Sequence, residues 1–436
     1  MGFFYYESTM KIEELYKLFT AHPCISTDTR NLTRGELYFS LKGQNFNGNR
    51  FARQAVENGA AYAIIDEEQY FVENKTILVD NVLDCLQKLA AFHRSKLSIP
   101  VIGISGSNGK TTTKELVHAV LSEKYHTFST QGNLNNHIGV PLSILQITPE
   151  HEIAIIEMGA NHMGEIHDLC QISQPDYGLI TNIGKAHLEG FGNYDNVIKA
   201  KTELYRYIEQ RHGMVFINYN NNILKINAQN IRQFSYGTNQ NAAIHTTFIV
   251  ANPYVKLYWE NKKTIIQSKL IGKYNFENIL AAIAVGEYFK VETEKIKHAI
   301  EQYFPQNSRS EYINKKDNTI ILDAYNANPT SMIAALENFN LMQSVNKVVM
   351  LGDMLELGSY KEAEHEKIIE FLINSNYNEV YLVGPIFSTV NTCSKFKTFK
   401  SSLMLRDFLK TSPLKKALIL VKGSRGMQME HVLNAL

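Results

Sequence analysis

Three observations predict an α/β protein built from three domains. The chain has 436 residues, too many for one ordinary core, and about 150 residues per domain gives three. Short apolar runs alternate with segments whose apolar residues recur at helical spacing, which is typical of sheets covered by helices. A glycine-rich turn also separates an apolar run from a helical segment. We therefore predict a small α/β domain at residues 1–97, a central domain at 98–306 and a doubly wound domain at 307–436.

Composition excludes several classes of protein. The net charge of +1 provides no basic excess for binding a nucleic-acid strand. The cysteines (Cys24, Cys85, Cys170 and Cys393) show no paired spacing, which favours reduced structural thiols. The apolar run Met1–Glu7 is too short for a signal sequence, and no stretch approaches the ~20 apolar residues of a membrane span. We expect a cytoplasmic monomer without a membrane span.

The first domain is predicted from its alternating elements. Helical spacing covers Ile12–Phe19 and Val82–His93, and strand-like runs cover Glu36–Lys42 and Ala61–Ile65. The segment Ser95–Pro100 is predicted to be a linker into the next domain.

The central domain opens on a strand, a glycine-rich turn and a helix within Val101–Thr113. Glycines let successive N–H groups point inward and cradle phosphates, and the N-terminus of the following helix adds positive potential. Lys110 would reach the β- and γ-phosphates, and the hydroxyl of Thr111 would bind Mg²⁺. The glycines at Gly103 and Gly106 depart from the common spacing, but strand, turn and helix together still predict a phosphate loop.

Further strands of this domain end in polar residues. Continuous apolar runs at Ile153–Glu157 and Tyr177–Ile183 predict buried parallel strands, Met214–Ser268 predicts shorter ones, and Asn278–Tyr288 predicts a helix. Ligands collect at the carboxyl ends of such strands, so Glu157 would either supply a second oxygen to Mg²⁺ or cap the next turn.

The sequence pattern leaves the role of one further residue of the central domain open and indicates no special role for another. His187 follows a strand among glycines, and both a structural and a catalytic role stay open for it. Lys201 has the pattern of ordinary helix surface.

The third domain is predicted to be an open, doubly wound sheet with strands at Thr319–Leu322, Lys347–Leu351, Glu379–Val383 and Ala417–Val421. The turn Asp323–Pro329 follows the first strand directly. Its Asp and Asn side chains either satisfy the backbone or recognise a polar ligand. Similar strand-end turns occur at Leu351–Gly358 and Val421–Gly426.

Taken together, these segments resemble the Mur ligase family, ATP-dependent amide-bond synthases of peptidoglycan precursor assembly. The matching blocks occur in order over nearly the whole chain. They are Ser26–Arg30 with Gly43, Ser105–Thr112, Gly132–Pro141, Glu157–Ala160, Gly164–Ile166, Ile180–Gly192, Ala200–Glu203, Asp323–Pro329, Leu351–Gly358 and Lys422–Arg425.

The resemblance implies a substrate-binding first domain, a central ATPase and a Rossmann-like third domain. Within the family it points to the members that add D-alanyl-D-alanine to UDP-MurNAc-tripeptide, in cell-wall synthesis and hence cell shape and division. ATP would convert the tripeptide carboxylate to an acyl phosphate, and the dipeptide amine would then displace phosphate. The third residue of the tripeptide stays open.

The resemblance also implies site residues. The nucleotide-binding set is Gly106, Ser107, Asn108, Gly109, Lys110, Thr111, Thr112, Asn278 (adenine), Arg309 (phosphates) and Asp323 (ribose). The catalytic set is Lys110, Glu157, His187 and Lys201, in which Thr111 and Glu157 hold one Mg²⁺ and His187 and Lys201 a second, with Lys201 as an N-carbamate formed with CO₂. The substrate set is Ser26, Asp28 and Arg30 (uridine), Asn135 and Asn136 (muramyl peptide), and Tyr325, Asn326 and Asn328 (dipeptide). One departure is Tyr274, which stands where the family usually has a histidine.

Alternative activities predict different residues. A diaminopimelate- or lysine-adding ligase would carry an Asp-Asn-Pro-Arg-type turn, and this chain has Asn326–Pro329 instead. Folylpolyglutamate synthase shares the core, but the blocks at Ala186–Gly192 and Leu355–Gly358 favour a ligase that acts on a muramyl peptide. A nucleotide-driven switch would need no second metal, and a non-enzymatic binding module would need no metal site.

Overall fold

A computed structural model describes residues 10–305 and 309–436. The N-terminal run Met1–Glu7 and the predicted domain boundary between 306 and 307 lie outside the described residues. None of the described helices has the length and hydropathy needed to cross a bilayer.

The structure alternates helices and strands along the described chain, as predicted. The helices are α1 (Ile12–Ala21), α2 (Ala52–Glu57), α3 (Val82–Lys96), α4 (Lys110–Ser122), α5 (Gly139–Leu145), α6 (Glu165–Ser173), α7 (Leu188–Phe191), α8 (Tyr194–Lys201), α9 (Glu203–Gln210), α10 (Asn222–Asn227), α11 (Tyr274–Tyr288), α12 (Thr293–Gln302), α13 (Pro329–Leu341), α14 (Lys361–Ile373), α15 (Pro385–Val390) and α16 (Ser402–Thr411). The strands are β1 (Ile25–Ser26), β2 (Leu37–Phe39), β3 (Lys42–Gly43), β4 (Phe46–Asn47), β5 (Tyr62–Ile65), β6 (Thr76–Leu78), β7 (Val101–Ser105), β8 (Thr127–Ser129), β9 (Ile153–Glu157), β10 (Tyr177–Ile180), β11 (Met214–Asn218), β12 (Arg232–Gly237), β13 (Ile244–Ala251), β14 (Tyr254–Trp259), β15 (Thr264–Ile271), β16 (Glu311–Lys315), β17 (Asn318–Asp323), β18 (Lys347–Gly352), β19 (Glu379–Val383), β20 (Lys397–Phe399) and β21 (Leu418–Lys422).

The chain divides into two compact units. Of the described residues, unit 1 comprises 10–104, Tyr125–Gly159 and Gly164–Gly178, and unit 2 comprises Ser105–Lys124, Ala160–Met163, 179–305 and 309–436. The predicted boundary at 97/98 falls inside unit 1, because α3 packs against α5 and α6 as well as α1. The three predicted domain ranges stay predictions.

Unit 1 contains a parallel sheet with the strand order β1-β2-β5-β6 and the parallel trio β8-β9-β7. In the trio, Ile104 of β7 lies opposite Glu157 of β9. Both residues are therefore at the carboxyl ends of neighbouring strands, where ligands of parallel sheets bind.

The predicted linker at Ser95–Pro100 is partly wrong, because Ser95 and Lys96 continue helix α3. The buried Arg94 explains this extension. Its guanidinium donates to the carbonyl of Leu97 at 2.9 Å and pairs with Asp176 at 2.9 Å, so the end of the helix is fixed by tertiary contacts.

Unit 2 contains two groups of strands. Strands β11, β12 and β13 are parallel neighbours, and β14 and β15 continue as an antiparallel meander. The other sheet has the order β16-β17-β21-β18-β19-β20, parallel except for the edge strand β16. This open sheet confirms the predicted doubly wound fold, with its core formed around residues such as Ile320, Val348 and Ile419.

The edge strands β16 and β20 were not predicted. β16 has no continuous apolar run, and β20 has only three residues, two of them exposed. The predicted helix at Asn278 begins earlier, at Tyr274, and the predicted strand from Tyr177 ends at Ile180 rather than Ile183. The polar residues after Ile180 leave the sheet to contact the phosphate loop, as described below.

Buried His93 in unit 1 makes stability depend on pH. Its Nε2 donates to the carbonyl of Ile147 at 2.8 Å, and its Nδ1 accepts from the hydroxyl of Tyr16 at 3.2 Å. Both bonds fit the neutral ring, and burial lowers the pKa of His93 below its ordinary value. The unfolded chain binds a proton near pH ~6.5, whereas the folded chain does not until a lower pH.

We expect the free energy of unfolding to fall as the pH drops from about 6.5, by up to ~1.4 kcal/mol per pH unit for this one group. Urea titrations at several pH values measure this slope, and His93→Gln should flatten it. The exposed His298 provides the control His298→Gln, which should keep the wild-type slope. An unchanged slope in His93→Gln would show that His93 does not contribute.

Candidate functional site

The predicted phosphate loop lies between β7 and α4 in unit 2. Gly109 adopts φ +78°, a left-handed conformation that favours glycine, immediately before α4 begins at Lys110. The Lys110 ammonium donates to the carbonyl of Gly106 at 2.7 Å, so its side chain lies along the loop. Thr111 and Thr112 are buried in the first turn of the helix. The predicted strand, turn and helix are therefore all present.

The loop after β10 fixes the phosphate-loop backbone. Thr181 Oγ1 donates to the carbonyl of Asn108 at 2.6 Å, and Asn182 Nδ2 donates to the same carbonyl at 3.0 Å. The side-chain oxygen of Asn182 accepts a hydrogen bond from Asn108 N at 3.1 Å. Ser107 Oγ exchanges hydrogen bonds with the backbone of Gly184, at 2.9 and 3.1 Å. The loop is thus preorganised by side chains about 75 positions downstream, as the 74-residue separation of Asn108 and Asn182 illustrates.

Sequence reasoning missed Thr181 and Asn182 as contributors to the site. A signal was present, since two polar residues directly follow a buried parallel strand whose carboxyl end should face a ligand.

Asn278 of α11 lies directly against the phosphate loop. Its side-chain oxygen accepts from Thr113 Oγ1 at 3.1 Å, and its amide donates to Asn275 Oδ1 at 2.8 Å. Asn275 in turn donates to the carbonyl of Ile271 at 2.8 Å. The departure at Tyr274 is accommodated separately, because its hydroxyl pairs with Ser310 at 2.7 Å.

Substitution of Gly109 should weaken nucleotide binding. A Cβ there would lie 2.6 Å from the Asn278 side-chain oxygen, and the positive φ is unfavourable for alanine. Because Asn278 is buried and held by two partners, we expect Gly109→Ala to weaken ATP binding at least about tenfold, the equivalent of ~1.4 kcal/mol. Calorimetric titration with ATP measures this. The control Gly35→Ala also has positive φ, at +94°, but open space around it. Equal ATP affinity in the two variants would contradict the prediction.

Glu157 belongs to unit 1, at the end of β9, and is 1% exposed. Asn135 Nδ2 donates to its Oε1 at 2.8 Å, and Thr130 Oγ1 accepts from its backbone N at 3.0 Å. Asn135 also accepts from Gly159 N through its backbone carbonyl, at 2.7 Å. Asn135, predicted to face the muramyl peptide, therefore orients Glu157.

Asn136 has a structural explanation, because its side-chain oxygen accepts from the backbone N of Ile138 and of Gly139, at 3.1 and 2.9 Å. These bonds satisfy N–H groups at the start of α5. The Asn136 side chain is exposed, and its contact with the muramyl peptide stays a prediction.

His187 precedes α7 with a left-handed backbone, φ 53°. Its Nδ1 lies in direct contact with Glu356 Oε2. The hydrogen bond from His187 lowers the pKa of the Glu356 carboxyl below its ordinary value. Sequence reasoning missed Glu356 as a partner, although its block Leu351–Gly358 had been singled out.

The expectation that Lys201 is ordinary helix surface is wrong. Its side chain is 1% exposed, its ammonium donates to the carbonyl of Ala160 at 3.1 Å, and it lies 5.3 Å from the Phe191 ring centroid. His187 immediately precedes α7, and Phe191, which contacts Lys201, is the last residue of the same helix.

The turn after β17 is held by a buried lysine. Lys422 pairs with Asp323 at 2.6 Å and donates to the carbonyl of Asn326 at 3.2 Å, and its side chain is 2% exposed. The two residues are register partners at the ends of the parallel strands β17 and β21. Lys422 was not predicted as a site residue, yet it fixes the carboxylate predicted to hold ribose.

Arg309 and Tyr325, predicted separately, lie together. The Arg309 guanidinium is 3.6 Å from the Tyr325 ring centroid, which is a cation–π contact.

The asparagines of this turn mainly shape the backbone. Asn326 accepts from Ala327 N at 2.8 Å, and Asn328 caps α13 by a reciprocal capping box with Ser331. In addition, Asn328 Nδ2 donates to Asn108 Oδ1 at 2.7 Å. The helix cap of the third predicted domain therefore contacts the phosphate loop directly.

The segment Ser26–Arg30 forms its own turn in unit 1. Ser26 Oγ donates to the carbonyl of Asp28 at 2.9 Å, and Arg30 binds both carboxylate oxygens of Asp28, the shorter bond being 2.6 Å. The hydrogen bond from Arg30 lowers the pKa of Asp28 to about 2. The Arg30 side chain is 85% exposed, so its guanidinium faces solvent while it contacts Asp28.

The two residues predicted to hold the first metal carry oxygen donors, the kind of atom that Mg²⁺ prefers. The described residues contain no group of three or more His, Cys, Asp and Glu that would hold a metal ion alone. Mg²⁺ commonly takes one or two protein oxygens and completes its shell with substrate phosphates and water. The hydroxyl of Thr111 and the carboxylate of Glu157 are donors of this kind. The second predicted set, His187 with Lys201 as a carbamate, stays a prediction.

Comparisons with known proteins agree with this arrangement. The profile of the Mur ligase family catalytic domain matches residues 23–94, that of the Mur ligase middle domain 104–286, and that of the Mur ligase glutamate ligase domain 308–425. UDP-N-acetylmuramoyl-tripeptide–D-alanyl-D-alanine ligase of Bacillus subtilis (strain 168) is 35% identical, over 94% of this chain and 92% of that protein.

Solved structures are similar over the same extent. A crystal structure of MurF from Acinetobacter baumannii has a TM-score of 0.86 and 30% identity, covering 96% of this chain and 97% of that chain. MurF ligase from Thermotoga maritima in complex with ADP has a TM-score of 0.84 and 26% identity, covering 94% of this chain and 96% of that chain. Domain order, phosphate loop and strand-end residues thus all point the same way, and the chain belongs to the Mur ligase family.

Proposed function

We propose that this protein is an ATP-dependent ligase that joins D-alanyl-D-alanine to UDP-MurNAc-tripeptide, yielding ADP and phosphate, in peptidoglycan precursor synthesis. The observation that carries the proposal is the phosphate loop, whose Asn108 is bonded to Asn328 in the turn proposed to meet the dipeptide. Relatives similar over nearly the whole chain bear the name of this ligase.

The first step would move the γ-phosphoryl group of ATP to the terminal carboxylate of the tripeptide. A carboxylate oxygen forms the new bond to phosphorus as the bond to ADP breaks. Two anions must approach each other for this, so positive charge is required at the site. The Lys110 ammonium would provide one such charge, because it already lies along the carbonyls of the loop.

Bound Mg²⁺ would neutralise further charge on the phosphates and the carboxylate. Thr111 and Glu157 are the proposed holders of one ion, supported by the bond from Asn135 that orients Glu157. His187 and Lys201 are the proposed holders of a second. An ammonium repels a cation, so Lys201 would act as an N-carbamate, whose oxygens carry negative charge.

In the second step the dipeptide amine would attack the acyl phosphate carbonyl. The resulting tetrahedral intermediate would then release phosphate and leave the amide bond. Tyr325, Asn326 and Asn328 are proposed to lie near the dipeptide. Since Asn326 and Asn328 are engaged in shaping the turn, their contribution to this site would be chiefly through backbone position.

Further residues are proposed to bind the remaining parts of the substrates. Asn278 and Asp323 would hold adenine and ribose, and Arg309 the phosphates. Arg30, presented by Asp28 and Ser26, would contact the uridine end of UDP-MurNAc-tripeptide. A role for residues 1–97 in substrate binding, 98–306 in ATP binding and 307–436 in dipeptide binding accords with these positions. We propose a cytoplasmic location, which the free thiols Cys24, Cys85, Cys170 and Cys393 support.

The test is ADP release from ATP and Mg²⁺ with UDP-MurNAc-tripeptide, with and without D-alanyl-D-alanine, together with the mass of the product. We expect a product heavier by one dipeptide less water, formed one-for-one with ADP. Diaminopimelate offered in place of the dipeptide should give no conjugate. ADP release at an equal rate without either substrate, and no conjugate, would overturn the proposal in favour of a switch-type ATPase.

A further inference from the structure

The turn after β18 presents a carboxylate to His187. Glu356 lies within the block Leu351–Gly358, for which sequence analysis gave only a strand-end position. Its Oε2 contacts His187 Nδ1, and its backbone carbonyl accepts from Glu189 N at 3.1 Å. One side-chain contact and one backbone hydrogen bond therefore join this turn to the residues around α7.

His187 and Glu356, whose side chains are in contact, both have a left-handed backbone. The φ angle is 62° at Glu356 and 53° at His187. Non-glycine residues in this region carry a conformational cost and persist where the surroundings determine them strongly, often at functional sites. A contact made by two such residues indicates a specified geometry rather than an incidental surface pair.

The turn that carries Glu356 is anchored on both sides. Buried Asp353 accepts from the backbone N of Ile386 and of Phe387, each at 2.9 Å, at the start of α15. Buried His365 accepts from Met354 N at 3.0 Å. Ser424 Oγ accepts from Leu355 N at 2.9 Å. These bonds fix the three residues directly before Glu356, so the backbone that carries its carboxylate is held in place.

The chemistry of the pair determines what His187 can do. A carboxylate can only accept a hydrogen bond, so a carboxylate beside Nδ1 favours the neutral imidazole that carries its proton on Nδ1 and keeps the lone pair on Nε2. Carboxylates that hold one ring nitrogen in this way fix the tautomer and orientation of metal-binding histidines. The arrangement therefore prepares Nε2, and not Nδ1, as the ligand nitrogen.

We propose that Glu356 is a positioning residue that sets the tautomer and ring orientation of His187. This role rests on the proposed function for its catalytic consequence, but the tautomer itself can be measured without metal or substrate. Glu356 touches neither ATP nor peptide in this role and acts through the histidine.

The test uses full-length protein labelled with ¹⁵N in histidine, free of metal, at an alkaline pH at which the nitrogen shifts themselves show a neutral His187 ring. Long-range proton–nitrogen correlation spectra report which ring nitrogen carries the proton, and the signals missing in His187→Gln assign the residue. We expect an Nδ1-protonated ring in the wild type. Glu356→Ala should convert it to a mixture containing the Nε2-protonated form. Glu356→Gln, which keeps an acceptor oxygen, should retain the wild-type tautomer.

Ligase kinetics provide the second readout. Glu356→Ala should lower kcat about 10- to 100-fold, the range seen on loss of such outer partners, and Glu356→Gln should recover most of it. The control Glu362→Ala removes an exposed carboxylate on α14 and should change neither readout.

A wild-type tautomer in Glu356→Ala would overturn the positioning role, whatever happens to kcat. Absence of ligase activity in the wild type would overturn the proposed function instead, and the spectra would still decide the role of Glu356.

Discussion

Replacing Lys110 with methionine is expected to lower kcat about 10³-fold, the upper end for loss of one oxyanion-hole donor and the lower end for loss of an arginine that stabilises a transferring phosphoryl group. Methionine keeps the length and the unbranched stem, so the start of α4 should persist. The ammonium, which donates to the carbonyl of Gly106 at 2.7 Å, is lost. Steady-state rates of ADP release with both substrates measure the effect.

The matched control is Lys124→Met, just beyond the other end of the same helix, where an exposed ammonium donates to the carbonyl of Lys290 at 2.9 Å. That variant should retain wild-type kcat. A Lys110→Met enzyme within about threefold of wild type would remove Lys110 from the chemistry, since one catalytic charge is worth far more than that.

Lys201→Ala is the second substitution with a large expected effect. If the lysine acts as a carbamate, its loss removes a charged ligand from a buried position, and we expect kcat to fall by about 10² or more. Added bicarbonate should not restore activity, because alanine has no amine to modify. Wild-type protein equilibrated with ¹³C-bicarbonate should show a carbamate carbon signal that is absent from Lys201→Ala.

Lys199→Ala serves as the control, since Lys199 is exposed two positions earlier on α8. It should keep both the activity and the carbon signal. Undiminished turnover in Lys201→Ala would exclude the carbamate from the mechanism. Lost turnover without a carbon signal in the wild type would assign Lys201 a role as an unmodified buried lysine.

The sequence pattern predicted the phosphate loop because the interactions that form it involve residues close together in the chain. A strand, glycines that permit φ +78° at Gly109, and a helix beginning at Lys110 are all encoded within a dozen neighbouring residues. The same holds for the four central strands of the third domain, whose apolar runs are continuous. The edge strand β16 failed this criterion, since an exposed edge needs no apolar run.

Partners that come from distant parts of the chain were not predicted. Lys422 lies 99 residues from Asp323, and only the order of the strands makes them neighbours. A prediction of adjacent β17 and β21 would have found the pair, because a carboxylate and an ammonium end these two strands in register. Glu356 gave no such signal, since the contact depends on two left-handed residues in separate loops.

Helical periodicity was misleading at Lys201. A lysine in a polar stretch normally lies on the solvent side of a helix, yet this one is 1% exposed. Its burial results from α7 and the carbonyl of Ala160, which no pattern within α8 encodes. The role of Lys201 in a metal site was predicted only from the resemblance to the Mur ligase family, because helical periodicity gave no indication of it.

The bond between Asn108 and Asn328 has a consequence for how the protein is made. Ribosomes deliver the chain from its N-terminus, and early segments fold before later ones exist. Asn182 follows Asn108 by 74 residues, whereas Asn328 follows it by 220. The partners of the phosphate loop therefore become available at two different times during translation. The residues after β10 are made when the middle of the chain is synthesised, and the cap of α13 is made only after most of the polypeptide.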